Sequence, residues 1–280
     1  MSEEIEYKEM KDFGEYDILE DIQEDAWGMP VRELVPKRLI YATLKSGGVV
    51  IGAYKEREII GYCWGWVGRN EKEEIFIYSH HNAVRKEFQN EGIGYKLKLK
   101  QREWGINNGF EKINWTFDPL QSKNCYLNFH KLGVTCNSYH NKYWGDMLDD
   151  LNRGIDTDRF YCNWILNSPK VKRHIEQDFT DFSKMSIHQK YHTLEVEMEE
   201  DFLRVRKIQL DLDLPILFVR IPPNFQEILE NNIELMKDWR ENTREVFTTY
   251  FQKGYEVVDF VIRKIPDVVD CYHVLKKNED

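Results

Sequence analysis

Two glycines spaced by one residue, behind a polar run and ahead of a helical stretch, are the residues of this 280-residue chain best suited to chemistry. The run Val84, Arg85, Lys86, Glu87, Phe88, Gln89, Asn90, Glu91, Gly92, Ile93, Gly94 follows a strand-like stretch at residues 74–83 and leads into a helical one at 95–107. The first N–H groups of a helix have no carbonyl of their own to bond. The helix dipole adds partial positive charge there, so a helix start can bind anionic phosphate. Gly92 and Gly94 let the main chain approach a ligand with no Cβ in the way. The stretch reads as a pyrophosphate cradle, set against the plainer reading of a glycine-bearing turn that opens an ordinary helix. It is not a P-loop, because no Gly-Lys-Ser/Thr follows, and the third glycine of the dinucleotide fingerprint is missing.

The elements that must position this loop follow from periodicity. Ile18, Leu19, Ile22 and Ala26 fall near a 3.6-residue period and predict a helix over 17–27, ended by Gly28 and Pro30. A second helix is predicted over 31–44, with Pro36 at a turn or kink. After Gly47 and Gly48, residues 49–54 and 59–67 form a hairpin whose second strand places Ile60, Tyr62, Trp64 and Trp66 on one face. That aromatic stripe fits core packing better than a ligand wall. Beyond the loop and its helix come a strand at 112–118 stopped by Pro119, a helix at 122–132 with Ser122 as N-cap and Gly133 just after it, a strand at 134–140, a loop at 143–155, and a strand at 159–166.

Residues 168–190 are charged and predict a linker, and residues 191–280 predict a further α+β unit. The latter has strands at 193–198 and 216–221, one or two helices at 225–251, Gly254, and a hairpin at 255–263 and 271–276. Strand, helix, glycine and hairpin repeat the order seen at 112–166; an unrelated appendage is the other reading. His188 and His192 stand four apart, but no Glu follows His188 as the zinc-protease motif requires, so no metal is expected.

Bulk properties exclude several classes. The net charge is −10, from 39 basic and 49 acidic residues, which argues against nucleic acid as a partner. No run of 18 apolar residues exists and the start, Met1, Ser2, Glu3, Glu4, is acidic, so neither a membrane span nor a secretory leader is expected. The five cysteines are scattered and odd in number, as in a cytoplasmic protein with reduced thiols.

The spacing Gln-x-x-Gly-x-Gly at Gln89, Gly92 and Gly94, with Val84 five residues before the Gln, resembles the acyl-CoA loop of the GNAT acyltransferase superfamily. The element order, two helices, three strands, the loop, then α-β-α-β-β, is the order of that superfamily. Shorter pieces are similar to one branch of predicted GNAT acetyltransferases: Trp27 with Gly28, Ser79 with His80, Trp115 through Leu120, Asn124, Leu132 with Gly133, and Trp144, Gly145, Asp146. The resemblance covers about residues 15–167.

It implies an α+β chain with a three-layer α/β/α GNAT fold on a mixed central sheet at residues 1–167, followed by a C-terminal half resembling a degenerate, partial GNAT unit. The implied activity is acyl-CoA-dependent N-acyl transfer, with acetyl-CoA or another acyl-CoA as co-substrate, directly to a small amine or amino acid, without metal; a homodimer is a further expectation. The alternative is a CoA-binding regulatory or interaction module without turnover. Carried onto this sequence, Gln89, Asn90, Glu91, Gly92, Ile93, Gly94 and Tyr95 hold the pyrophosphate. Asn82, Ala83 and Val84 offer a strand edge to the pantetheine arm, a backbone N–H near Asn82 meets the oxyanion, and Asn124 lies at the helix opened by Ser122.

The amine's proton needs a base, and the candidates are Asp118, at the end of its strand, and His80. Alternation places His80 and Asn82 on one face and His81 on the other. The plain alternatives are a turn-forming Asp before Pro and a satisfied core histidine. The Tyr that often protonates the leaving thiolate is replaced by Phe129, leaving Tyr126 and Tyr143 as spare acids. Cys125 fits packing better than nucleophilic attack. Lys96 and Lys100 share a helix face that could meet a 3′-phosphate or simply be solvated.

Overall fold

In the computed structural model, residues 4–179, 182, 187–199, 201–265 and 268–278 are described. The chain forms two compact units. The first is Met1–Trp115 with Leu148–Arg153 and Ile165–Asn167; the second is Thr116–Met147, Gly154–Trp164 and Ser168–Asp280. The division falls inside a strand rather than after residue 167, where the sequence drew it.

In the first unit, β-branched and aromatic residues build β2 (Val49–Lys55) and β3 (Glu58–Arg69), joined by a tight turn in which Glu56 takes positive φ. A short edge strand, β1 (Ile5–Glu9), pairs with β2 and was not expected: five residues with three charges carry little strand signal. On the other side β3 pairs with β4 (Ile75–Val84), and β4 pairs in parallel with β5 (Lys112–Phe117). The first helix is α1 (Leu19–Trp27), preceded by a 3₁₀ turn and ended by Gly28 in the left-handed region. The expected second helix starts only after Pro36, as α2 (Lys37–Lys45), because proline cannot continue the turn before it. The third helix is α3 (Ile93–Asn107).

Both sheet faces are covered. Leu19 and Ile22 of α1 and Ile40 of α2 pack with Tyr62 and Trp64. On the other face Ile93 and Leu97 of α3 pack with Ile51, Ile60 and Cys63. Ile60 therefore does not share the face of Tyr62 and Trp64: the register shifts between Ala53 and Tyr54, and the extra residue turns Ile60 to the α3 side.

In the second unit the helix expected at 122–132 begins as α4 (Ser122–Cys125) and continues as a π-helical turn over Tyr126–Lys131. Two strands follow, β6 (Tyr139–His140) and β7 (Arg159–Ile165). The mixed seven-stranded sheet has the order β1-β2-β3-β4-β5-β7-β6. The expected linker instead contains α5 (Pro169–Glu176). Ser168 caps it by accepting from the Val171 N–H, Pro169 opens it, and Val171 and His174 form a short buried stripe. Beyond it a hairpin of β8 (Leu194–Glu199) and β9 (Phe202–Ile208) precedes β10 (Ile216–Ile221), α6 (Phe225–Asn231), α7 (Ile233–Gln252), β11 (Tyr255–Ile265) and β12 (Val268–Lys277). The last three strands form a sheet in the order β10-β12-β11. Among the described residues no helix is long and apolar enough to cross a membrane.

One buried ion pair ties distant parts of this unit together. Arg240 on α7 donates two hydrogen bonds to the Asp118 carboxylate, at 2.8 and 2.5 Å, and Arg159 lies 3.6 Å away. Both Asp118 and Arg240 are buried. Removing one member of such a pair leaves the other charged and desolvated, so Arg240→Met should cost about 3–5 kcal/mol of stability in urea unfolding. Burial alone would raise the Asp118 carboxyl, but Arg240, Arg159 and the Leu120 N–H outweigh it and hold it below the usual carboxylate range. The pair's contribution should thus persist above the ordinary carboxylate pKa and be lost only as pH falls through the lowered one. A loss under about 1 kcal/mol, the range of an exposed ion pair, would mean the pair does not brace the unit.

Candidate functional site

The loop after β4 is built as a concave row of donors. Arg85 N–H bonds Ile60 O at 2.9 Å and closes the strand, and a 3₁₀ turn at Lys86–Phe88 reverses the chain. Asn90 and Gly92 both adopt positive φ, 68° and 80°, and Gly92 is the N-cap of α3. The first helical bond is Lys96 N–H to Gly92 O at 3.1 Å. Among the described residues, the backbone N–H groups of residues 90–95 donate to nothing. Six unpaired donors at the positive end of a fifteen-residue helix suit an anion with several oxygens. A Cβ built on Gly92 meets nothing within 4 Å, so the space before the donors is open. Gln89, the first residue of the motif, holds the loop in place, since its Nε2 donates to Val84 O at 3.0 Å and pins the loop to the strand.

The strand feeding the loop is held between its neighbours. β4 runs for ten residues and pairs in parallel with β5 at Ile77 with Ile113 and Tyr78 with Asn114. Asn82 points toward α3, where its Nδ2 donates to Gly94 O at 3.2 Å. Its Oδ1 is buried and accepts from nothing among the described residues. An orphaned acceptor on the strand and a row of orphaned donors in the loop fit a polar, phosphate-bearing ligand.

The histidines differ from expectation. The β3–β4 register shifts between Trp64, which faces His81, and Gly65, which faces Ser79, so His80 is an extra residue in a bulge. Alternation breaks there. His80 and His81 come to the same face, with rings stacked at 4.6 Å and Trp64 touching both, while Asn82 takes the opposite face. Burial lowers His80 from its ordinary 6.5 to about 4, and it lowers His81 well below the ordinary value. Both rings are therefore neutral at pH 7. Tyr62 Oη lies 2.7 Å from His81 Nδ1 and fixes that ring.

A residue missed from sequence is Lys98. It is buried on the inner side of α3, donating to Ser79 Oγ at 2.8 Å and Gln101 Oε1 at 3.2 Å, with its ammonium 3.7 Å from the centre of the Trp115 ring. Its one signal was position: it follows the core residue Leu97 and stands three before Gln101, so all three share the inward side of the helix.

The remaining candidates lie in the second unit. Asp118 is not a free base: both carboxylate oxygens bond Arg240, and one also accepts the Leu120 N–H at 2.8 Å, the turn bond that Asp before Pro favours. Asn124 is exposed and donates to Gln121 Oε1. Phe129 is buried against Phe117 and Phe160 and has no proton to give. Tyr126 stacks on His130, and Tyr143 is partly exposed beside Trp144. Cys125 is buried, and burial raises its thiol well above the ordinary value, as in a packing residue. In the first unit, Lys100 pairs with Glu103 at 2.9 Å and Lys96 lies over the Tyr7 ring, a solvated face.

The sequence profile of the Acetyltransferase (GNAT) family matches residues 16–133. Residues 16–133 are a GNAT acetyltransferase domain. Its mixed sheet, helices on both faces and loop before α3 are the GNAT fold. Solved structures similar to it include the ribosomal-protein-S18-alanine N-acetyltransferase of Escherichia coli (10 % identity, 59 % of this chain and 96 % of that chain, TM-score 0.47). The YncA protein of Salmonella typhimurium, solved with its cofactor acetyl-CoA, matches at 15 % identity over 59 % of this chain and 95 % of that one, with a TM-score of 0.47. An aminoglycoside acetyltransferase from an uncultured soil metagenomic sample, solved with trehalose, matches at 20 % identity over 43 % and 82 %, with a TM-score of 0.39. No curated protein matches the chain.

The burial of His80 in the GNAT domain is directly measurable. Its imidazole should titrate near pH 4 by NMR rather than near 6.5. Because the folded value lies below the unfolded one, its contribution to stability should be intact above about pH 6.5 and lost as pH falls toward 4. A midpoint between 6 and 7 would mean that the bulge leaves the ring in water.

Proposed function

We propose that this chain is an acyl-CoA-dependent N-acyltransferase, with acetyl-CoA as its first-choice donor, that passes the acyl group directly to the nitrogen of a small amine or amino acid. The observation that carries the reading is the row of unpaired N–H groups at residues 90–95, with the orphaned Oδ1 of Asn82 on the strand that leads into it. The donors of residues 90–95 hold the pyrophosphate, with Tyr95 on the first turn of α3. The main chain and side chain of Asn82, with Ala83 and Val84, hold the extended arm as an added strand would be held. Acyl-CoA supplies an activated thioester carbonyl. The amine nitrogen bonds to that carbon, the C–S bond breaks with its electrons going to sulfur, and the nitrogen gives up one proton. His80, kept neutral by burial, is the proposed acceptor of that proton, directly or through water. Asp118 has left that role to the ion pair.

Phe129 favours a second reading, in which the domain binds CoA without turnover. A buried phenylalanine cannot protonate a thiolate, so a working enzyme must use water or another acid.

Acetyl-CoA at ~100 times its dissociation constant should stabilise the fold by about 2.7 kcal/mol, read as a rise in melting temperature. Gly92→Glu, which puts a carboxylate before the donors, should abolish that rise. Gly92→Ala is the control, since it carries the strain of positive φ, about 1–2 kcal/mol, without the charge, and should retain binding. A full shift in Gly92→Glu would place the phosphates elsewhere. Thiol release in a screen of amines separates the two readings, and His80→Gln should lower that rate ~10²–10⁴-fold with little change in acetyl-CoA affinity.

A further inference from the structure

From β5 onward the chain holds two runs of strand, helix, glycine and paired strands. The first run is β5, α4 with its π turn, Gly133, β6 and β7; the second is β10, α6 and α7, Gly254, β11 and β12. Their strand orders are the same, β5-β7-β6 and β10-β12-β11, with the last strand of each run inserted between the other two. Both glycines adopt positive φ, +70° and +80°.

The agreement extends to single hydrogen-bonding positions. Two residues after Gly133, Thr135 bridges Asn163; two after Gly254, Glu256 pairs with Lys276. Six residues after each glycine, Tyr139 pairs with Phe160 and Phe260 with His273. Four steps along one strand thus meet three steps along its partner in both runs, so each carries one extra residue in the same interval. A bulge at a matching place is a specific feature of a ladder, and chance register would not reproduce it.

The two runs also meet at equivalent residues. Cys136 and Val257 each stand three residues after their glycine. They form a reciprocal antiparallel bridge, Cys136 N–H to Val257 O at 3.1 Å and Val257 N–H to Cys136 O at 2.7 Å. Phe160 and His273, the partners of the sixth residues, face each other with rings 5.4 Å apart. Equivalent residues meeting in pairs is the signature of a two-fold interface between identical surfaces. Around it, Ser122 Oγ donates to Pro222 O at 2.8 Å, and His273 Nε2 lies 2.8 Å from Pro119 O, so each run bonds the proline that follows the other's first strand.

We propose that residues 216–277 are a second copy of the motif running from β5 to β7, paired with the first about a pseudo-two-fold axis through Cys136 and Val257, and that this copy is a built-in partner. Its main chain pairs with the first copy at Cys136 and Val257 within the same chain. It takes no acyl-CoA of its own, because the chain has a single Gln-x-x-Gly-x-Gly and that lies before the first copy; this clause rests on the function proposed above.

Val257→Cys tests the axis. A hydrogen-bonded antiparallel pair has Cα atoms ~5.5 Å apart, inside the ~4.4–6.8 Å range of a disulfide. Mild oxidation of this variant should join Cys136 to the thiol introduced at position 257 within one chain, with two thiols lost and single-chain mobility on a non-reducing gel. A disulfide between chains would overturn the built-in partner. As a second measurement, amide exchange in the unaltered protein should find Cys136 and Val257 protected to the same degree, and solvent-rate exchange at either would overturn the pairing. Calorimetric titration with acetyl-CoA should saturate at one per chain. Two per chain would overturn the assignment of the second copy as ligand-free. No binding at all would contradict the proposed function and leave the disulfide and exchange results to decide the pairing.

Discussion

Main-chain polar groups that have lost their partners are what the candidate site depends on. A helix satisfies all but its first donors. Here α3 starts beyond the loop that follows β4, at an exposed, positive-φ glycine, and the N–H groups of residues 90–95 are left without acceptors. Within the first unit Gln89 ties the loop to the strand, Asn82 ties the strand to the helix, and both sheet faces are covered.

The same economy explains the placement of charge. Where the fold buries an ionisable group it also supplies the partner. Lys98 rests on Ser79, Gln101 and an indole face, Asp118 on two guanidiniums, and His81 on a tyrosine hydroxyl. In the second unit a buried charge joins elements far apart in the chain, as Arg240 of α7 does in reaching Asp118. An acid at the end of a central strand is thereby turned from a chemical group into a brace.

What could be seen in the sequence was local. The glycine loop, the hairpin before it, the helix stop at Gly133 and the final hairpin each write their signal within a dozen residues, and all are present in the structure. What could not be seen involved one extra residue or a distant partner. The bulge at His80 inverts the alternation that placed His80 with Asn82, and nothing in the local composition marks which residue is extra. Asp118 looked like a base because its guanidinium partner lies 122 residues away. The charged stretch after residue 167 looked like a linker because its helix buries only Val171 and His174. The proposed repeat of residues 112–165 in residues 216–277 was visible in the sequence only as an order of elements, because hydrogen-bond register leaves no local trace there.

The central claim is that the unpaired donors at the start of α3 are a phosphate cradle. The most direct measurement is an amide ¹H–¹⁵N titration of the ¹⁵N-labelled chain with CoA. The account predicts that the largest shift changes fall on the N–H groups of residues 90–95, with smaller ones at Asn82, Ala83 and Val84. Unmoved signals at residues 90–95, with CoA bound and the changes clustered elsewhere, would contradict it.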